Sequence, residues 1–87
     1  MGTMTGGVLG LSVFGRGQNS ALLEFTLDDG TSNQTFVVTA YPGFEPQVFA
    51  GMTALLTAAY YAQKKVQISY YEVANQTPCC TSVATVK

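Results

Sequence analysis

The amino-acid sequence predicts a mainly β domain with one helix: a five-stranded Greek-key barrel whose helix lies between strands three and four. Three observations carry that prediction. Short alternating apolar stretches occupy both ends of the chain, and clusters of Gly, Asp, Asn and Pro separate them. One long run without a charged side chain, PQVFAGMTALLTAAYYAQ from Pro46 to Gln63, stands between the third and fourth stretches.

In chain order, MGTMTGG (residues 1–7) is small and polar and reads as a flexible N-terminus or cloning scar. It has neither the basic n-region nor the apolar h-region of a secretory signal. Residues 8–87 read as a single domain. VLGLSVFG alternates Leu9, Leu11 and Val13 against Gly10 and Ser12, so a first strand is expected to end near Phe14. The glycines and Asn19 of GRGQNS then mark a turn. ALLEFTL places Ala21, Leu23, Phe25 and Leu27 on one face and Glu24 and Thr26 on the other. DDG, from Asp28 to Gly30, opens a hairpin connection, and QTFVVTA is the third strand. YPGFEP turns the chain into a helix beginning at Pro46, where the missing N–H of proline costs nothing. Lys64 and Lys65 follow the helix, beside the negative end of its dipole. VQISYYEV alternates Val66, Ile68 and Tyr70 as a fourth strand, ANQTP is a loop, and CCTSVATV is the fifth strand.

That element order is the order of the OB-fold, with a generic α+β sandwich as its competitor. Closure of the barrel would bury Leu11, Val13, Leu23, Phe25, Val38, Val66 and Ile68 and would remove most free sheet edges. A chain so poor in edge charges needs that protection.

Composition narrows the function classes. Eighty-seven residues sit near the lower end of what folds without a metal, a disulfide or a partner chain, so a partner is plausible from the start. Charged residues make up 10% of the chain, against roughly 25% in an ordinary soluble domain, and the polar complement is Thr, Ser, Gln and Asn. That surface points to a secreted or periplasmic protein. A net charge of −1 with four Lys and Arg offers no handle for nucleic acid or an anionic membrane. Asn33-Gln34-Thr35 and Asn75-Gln76-Thr77 match the N-glycosylation pattern, which chance produces too often to carry weight.

The helix poses a sharper question. At 100° per residue, Val48, Phe49, Met52, Leu55, Leu56, Ala59 and Tyr60 share a broad face suited to plugging a barrel. The opposite arc holds Ala50, Gly51, Thr53, Ala54, Thr57, Ala58 and Tyr61, where a solvated helix carries Lys, Glu and Gln. A transmembrane segment needs about 20 predominantly apolar residues, and this run is too short, starts at proline and contains Thr53, Thr57 and two tyrosines. An alanine-rich surface helix needs no further explanation. Packing of Ala50, Gly51, Ala54, Thr57 and Ala58 against a neighbouring subunit's helix or around a pore is the reading favoured here. Small residues permit close approach, and a glycine inside a helix costs about 1 kcal/mol relative to alanine.

With the helix between strands three and four, and MTALLTAAYYAQKKVQISYYE (Met52 to Glu72) running through a short basic step into the next strand, the chain resembles the pentameric B subunits of bacterial AB-type toxins, in the subtilase-cytotoxin and pertussis-like branch. The resemblance is one of layout over most of the chain. It implies a secreted homo-oligomeric ring with helices around a central pore and paired edge strands. It also implies glycan binding on the outer surface and a catalytic A chain as partner. The region of Ser12 and Arg16 corresponds to where that family reaches a ligand on the barrel flank. The disulfide between separate strands that is common in that family has no counterpart, since the cysteines here are the adjacent Cys79 and Cys80.

Consecutive Cα atoms lie about 3.8 Å apart, below the usual range for a disulfide, so a Cys79–Cys80 bond would be strained. In a strand, one sulfur is expected to face inward and the other outward, with an intermolecular disulfide or metal binding as alternatives. No CxxC spacing supports a metal, and no cofactor is implied. The sequence contains no histidine, which removes Ser-His and Cys-His nucleophiles within one chain. Asp28 and Asp29, adjacent at a hairpin tip, are expected to point apart rather than share a cleft, and GGVLG and GRGQNS lack the Gly-Lys-Ser/Thr ending of a phosphate loop. No enzyme is expected.

Two classes remain. The first is a binding module for glycans, using aromatic faces and polar hydrogen-bonders from Tyr70, Tyr71, Glu72, Asn75 and Gln76, with Ser12 and Arg16 on the flank. For Tyr70, a place in the core with its hydroxyl at the rim is the plainer reading. The alternative is a ring-forming structural subunit without a small ligand.

Overall fold

The computed structural model describes residues 2–13, 21–39 and 46–86. Its elements are β1 (Gly2–Val13), β2 (Ala21–Asp28), β3 (Asn33–Thr39), α1 (Pro46–Ala62), β4 (Lys65–Tyr71) and β5 (Cys79–Thr85). The strands close into a barrel in the order β1-β2-β3-β5-β4, with β1 pairing with β4 to complete the ring. This is the OB-fold order expected from the sequence. The turn GRGQNS and the loop before Pro46 lie outside the described residues.

Residues 2–7 do not form a loose end. Gly2 to Gly7 are the first half of β1 and pair antiparallel with Tyr70 to Lys65 of β4. Met4 packs against the core and Gly6 is buried. Small polar residues read as a tail only in isolation; here β4 supplies the ladder that holds them.

At Gly7, β1 changes partners. Gly7 pairs with Lys65 on one side and Asp28 on the other, and from there to Val13 the strand runs along β2. A bulge at Leu9 separates the pairs Val8↔Leu27 and Gly10↔Thr26. It shifts the alternation, so Val8 is buried, Leu9 is exposed and Leu11 again packs on the core. Val13, expected in the core, is 64% exposed, because this half of β1 has a paired strand on one side only among the described residues.

The remaining core expectations hold. Leu23, Phe25, Val38, Val66 and Ile68 are buried, joined by Leu27, Phe36, Met52, Leu56 and Ala59. Phe25 and Phe36, opposite each other on β2 and β3, stack with ring centroids 5.7 Å apart. On the outer face of the same pair, the Thr26 and Thr35 hydroxyls hydrogen-bond at 3.0 Å. Closure between β3 and β5 is a short parallel seam: Val37 pairs with Cys79, and its N–H donates to the Pro78 carbonyl at 3.0 Å.

The helix lies against β1, β4 and β5 and buries Met52, Leu56 and Ala59, with Phe49 packed beside them. The buried face is narrower than expected: Val48 and Tyr60 are exposed on its flanks. After Ala62 the chain turns through Gln63, at φ 56°, and the Lys64 N–H donates to the Ala59 carbonyl at 3.0 Å. That six-to-one bond with a left-handed residue beneath it is a Schellman cap, built here without glycine.

Both cysteines are buried and unbridged, rather than one inward and one outward. Cys80 belongs to the core cluster, while Cys79 is covered at the seam with β3, where it pairs with Val37; a bulge at Thr81 follows, between the pairs Tyr70↔Cys80 and Ser69↔Ser82. Burial pushes the Cys80 thiol up to about 12, only partly offset by its hydrogen bond to the Ser82 carbonyl at 3.4 Å.

Candidate functional site

An open cleft of roughly 690 Å³ lies on the outer face, where the β2–β3 turn meets the C-terminal end of α1. Its floor is a row across three strands, Lys65 on β4, Gly7 on β1 and Asp28 on β2. Directly opposed residues present their side chains to the same face, and Gly7 presents none. A Cβ built on Gly7 would meet nothing within 4 Å, so the space between Lys65 and Asp28 is open. Two strand spacings, about 10 Å, separate those backbones.

The turn beside this floor is held by its own carboxylates. Asp28 Oδ1 accepts from the Gly30 N–H at 2.9 Å, and Asp29 Oδ1 accepts from Thr31 and Ser32 at 2.8 and 2.9 Å. Gly30, at φ 96°, takes the left-handed conformation that the turn requires. The Ser32 and Thr31 amides hold the Asp29 carboxyl below its ordinary range. Both aspartates border the cleft, with Asp29 exposed to solvent. The opposite wall is Tyr60 and Tyr61, edge to face with centroids 5.2 Å apart, and Gln63 beyond them. Tyr61 is 79% exposed, leaving its ring open to a ligand.

The residues singled out from sequence scatter over the barrel. Tyr70 is half-buried and packs on Phe36 with centroids 5.0 Å apart, so its ring belongs to the core. Tyr71, Glu72, Asn75 and Gln76 are exposed. Asn75 adopts φ 60° in a turn closed by the Gln76 N–H donating to the Val73 carbonyl at 3.1 Å. Asn75 and Gln76 join Gln34, Thr35, Thr77 and Pro78 around a shallow polar depression of roughly 500 Å³. Ser12 is exposed on β1, ten residues from Gly2, the residue that pairs with Tyr70, and does not join this group. Arg16 lies outside the described residues.

On α1, Ala50, Gly51, Ala54 and Ala58 are exposed and Thr57 is half-buried, its neighbour Thr53 turning its hydroxyl back to the Phe49 carbonyl at 2.9 Å. An apolar groove of roughly 150 Å³ runs beside this face, lined by Leu55, Ala58, Ala62, Val66 and Val86 among others. Among the described residues, no helix is long and apolar enough to cross a membrane.

The Tyr60–Tyr61 wall escaped the sequence reading. The signals were present separately, as a tyrosine pair near the end of a helix and an aspartate pair at a hairpin tip. Nothing in their spacing, some thirty residues apart in the chain, says that they face one another. Comparison with family models, curated proteins and solved structures returns no match, so the geometry alone carries the argument.

Proposed function

We propose that this chain is a non-catalytic binding subunit that works as a homo-oligomer, most simply a ring, and recognises glycans through the outer surface of its barrel. The observation that carries the reading is the outer face of α1. Ala50, Gly51, Ala54 and Ala58 stand exposed in the single chain, with no charged side chain on the whole helix and an apolar groove continuous with them at Ala58. A surface helix of a monomer carries charges there; a helix apolar or neutral on every side is normally buried on every side. The ligand class follows from what else the outer surface offers. Exposed tyrosines border one concave surface and uncharged hydrogen-bonding side chains border another, while only four Lys and Arg are available for an anionic polymer. Weak single sites become useful when several copies on one assembly engage a cell surface together. Such a subunit would act as the carrier for a separate catalytic chain, as the resemblance to toxin B subunits implies.

Light scattering of the purified chain at micromolar concentration, followed by a broad glycan array, tests both halves. The expected result is a multiple of the 9.2 kDa chain mass together with array binding. A monomer overturns the reading. An oligomer that binds nothing on the array leaves a ring-forming structural subunit.

A further inference from the structure

We infer that the cleft floored by Lys65, Gly7 and Asp28 is a glycan-binding site, and that its ligand ends in a neutral hexose rather than a sialic acid. The inference deepens the glycan reading above and rests on it.

The shape of the floor fits a pyranose. A pyranose is wide and shallow, and needs hydrogen-bonding groups around its rim with nothing rising beneath it. At Gly7 the strand that crosses between β4 and β2 carries no side chain, and the space above it is unoccupied. Gly7 is not held in a left-handed conformation, so backbone strain does not account for glycine here. An empty floor flanked by Lys65 and Asp28, with their backbones about 10 Å apart, is of the right width for one ring.

The wall suits the apolar face of a sugar. The C–H groups on one face of a hexose are slightly positive and pack on the negative face of an aromatic ring. Tyr61 presents an open ring held edge to face by Tyr60, and both are carried on a packed helix instead of a loop. Gln63 adds a side chain that both donates and accepts, which suits hydroxyls.

Charge decides between sugars. Around the cleft stand two carboxylates, Asp28 and Asp29, against one ammonium, Lys65. The turn amides of Thr31 and Ser32 hold the Asp29 carboxylate in place. Carboxylates accept from neighbouring hydroxyls of a neutral sugar with charge-assisted bonds. They repel the carboxylate of a sialic acid, and the single lysine does not outweigh the pair.

The experiment compares neutral hexose-terminated glycans with their sialyl-capped counterparts on one array, using the intact protein, two variants of the cleft, and Gln76→Ala at the polar depression as the control. Gly7→Val fills the floor with a residue suited to a strand, and Tyr61→Ala removes an exposed ring. Solution mass and melting curve are recorded for each. Binding is expected to favour the uncapped member of each pair and to fall about tenfold in both variants, with mass unchanged. Should Gly7→Val fail to fold, Tyr61→Ala decides alone. Preference for the sialyl-capped glycans overturns the inference. So does binding that survives Tyr61→Ala but is lost in Gln76→Ala, a result that leaves the glycan reading intact with its site at the polar depression. Failure of the unaltered protein to bind any glycan overturns both.

Discussion

Gly6 lies so close to the turn after β2 that a Cβ added to it would stand 2.5 Å from the Asp28 carbonyl oxygen. The obstructing atoms are backbone, which cannot rotate away. Gly6→Ala is therefore expected to destabilise the fold by about 1–3 kcal/mol, the usual cost of overpacking, read as a lowered melting temperature. Gly7→Ala, one residue on and facing open space, serves as the contrast and should cost much less. Equal effects of the two would mean that β1 and β2 do not approach as described.

The helix cap offers the opposite experiment. Gln63 holds a φ of 56°, a conformation that side chains disfavour and glycine adopts readily. Gln63→Gly should stabilise the chain by roughly 0.5–1 kcal/mol, since the relief of left-handed strain exceeds the added freedom of the unfolded chain. A chemical-denaturation midpoint that falls would place the helix end elsewhere.

Cys80 links stability to alkaline pH. Its thiol is raised from the usual 9.0 to about 12 by burial, so the folded chain keeps the proton that the unfolded chain releases. The stabilisation is complete below pH 9 and is lost as pH rises from there towards 12. In that window the unfolded state binds fewer protons, so unfolding becomes easier by up to about 1.4 kcal/mol per pH unit. Cys80→Ala should flatten this part of the stability profile. In the folded protein at pH 8, Cys80 is expected to resist iodoacetamide until denaturant is added, as followed by mass spectrometry.

Ala54 stands exposed near the middle of the uncharged helix face. Ala54→Glu should leave the secondary structure and melting curve of a lone chain within about 0.5 kcal/mol of the original. In a helix-packed ring, by contrast, a glutamate from every copy would be brought to one place. Loss of the assembled mass in light scattering with an unchanged circular dichroism spectrum is the expected outcome. An assembly that tolerates Ala54→Glu would move the interface to another surface.

What the chain reveals on its own is local. Alternation in ALLEFTL determines which face of β2 is buried, because side chains on a strand repeat every two residues and Leu23, Phe25 and Leu27 keep that period. Pro46 marks the start of the helix, and its uncharged run foretells both the buried stripe at Met52, Leu56 and Ala59 and an outer face without charges. The element order, read with these, was enough for the barrel.

Tertiary structure decided everything that depends on a partner strand or a docking angle. Gly2 to Gly7 look like a tail until β4 supplies their hydrogen bonds, and the bulges at Leu9 and Thr81 shift the alternation by one residue, which a periodicity of two cannot foresee. Val13 is exposed where β1 has a paired strand on one side only among the described residues, and Cys79 is buried where β5 meets β3, neither of which local alternation shows. The cleft is the clearest case: Gly7, Asp28 and Lys65 meet only because β1 changes partner at Gly7, and Tyr61 faces them only because α1 packs on β1, β4 and β5. A binding site of this kind is a property of contacts between distant segments, and local sequence encodes those contacts only through the packing of the whole barrel.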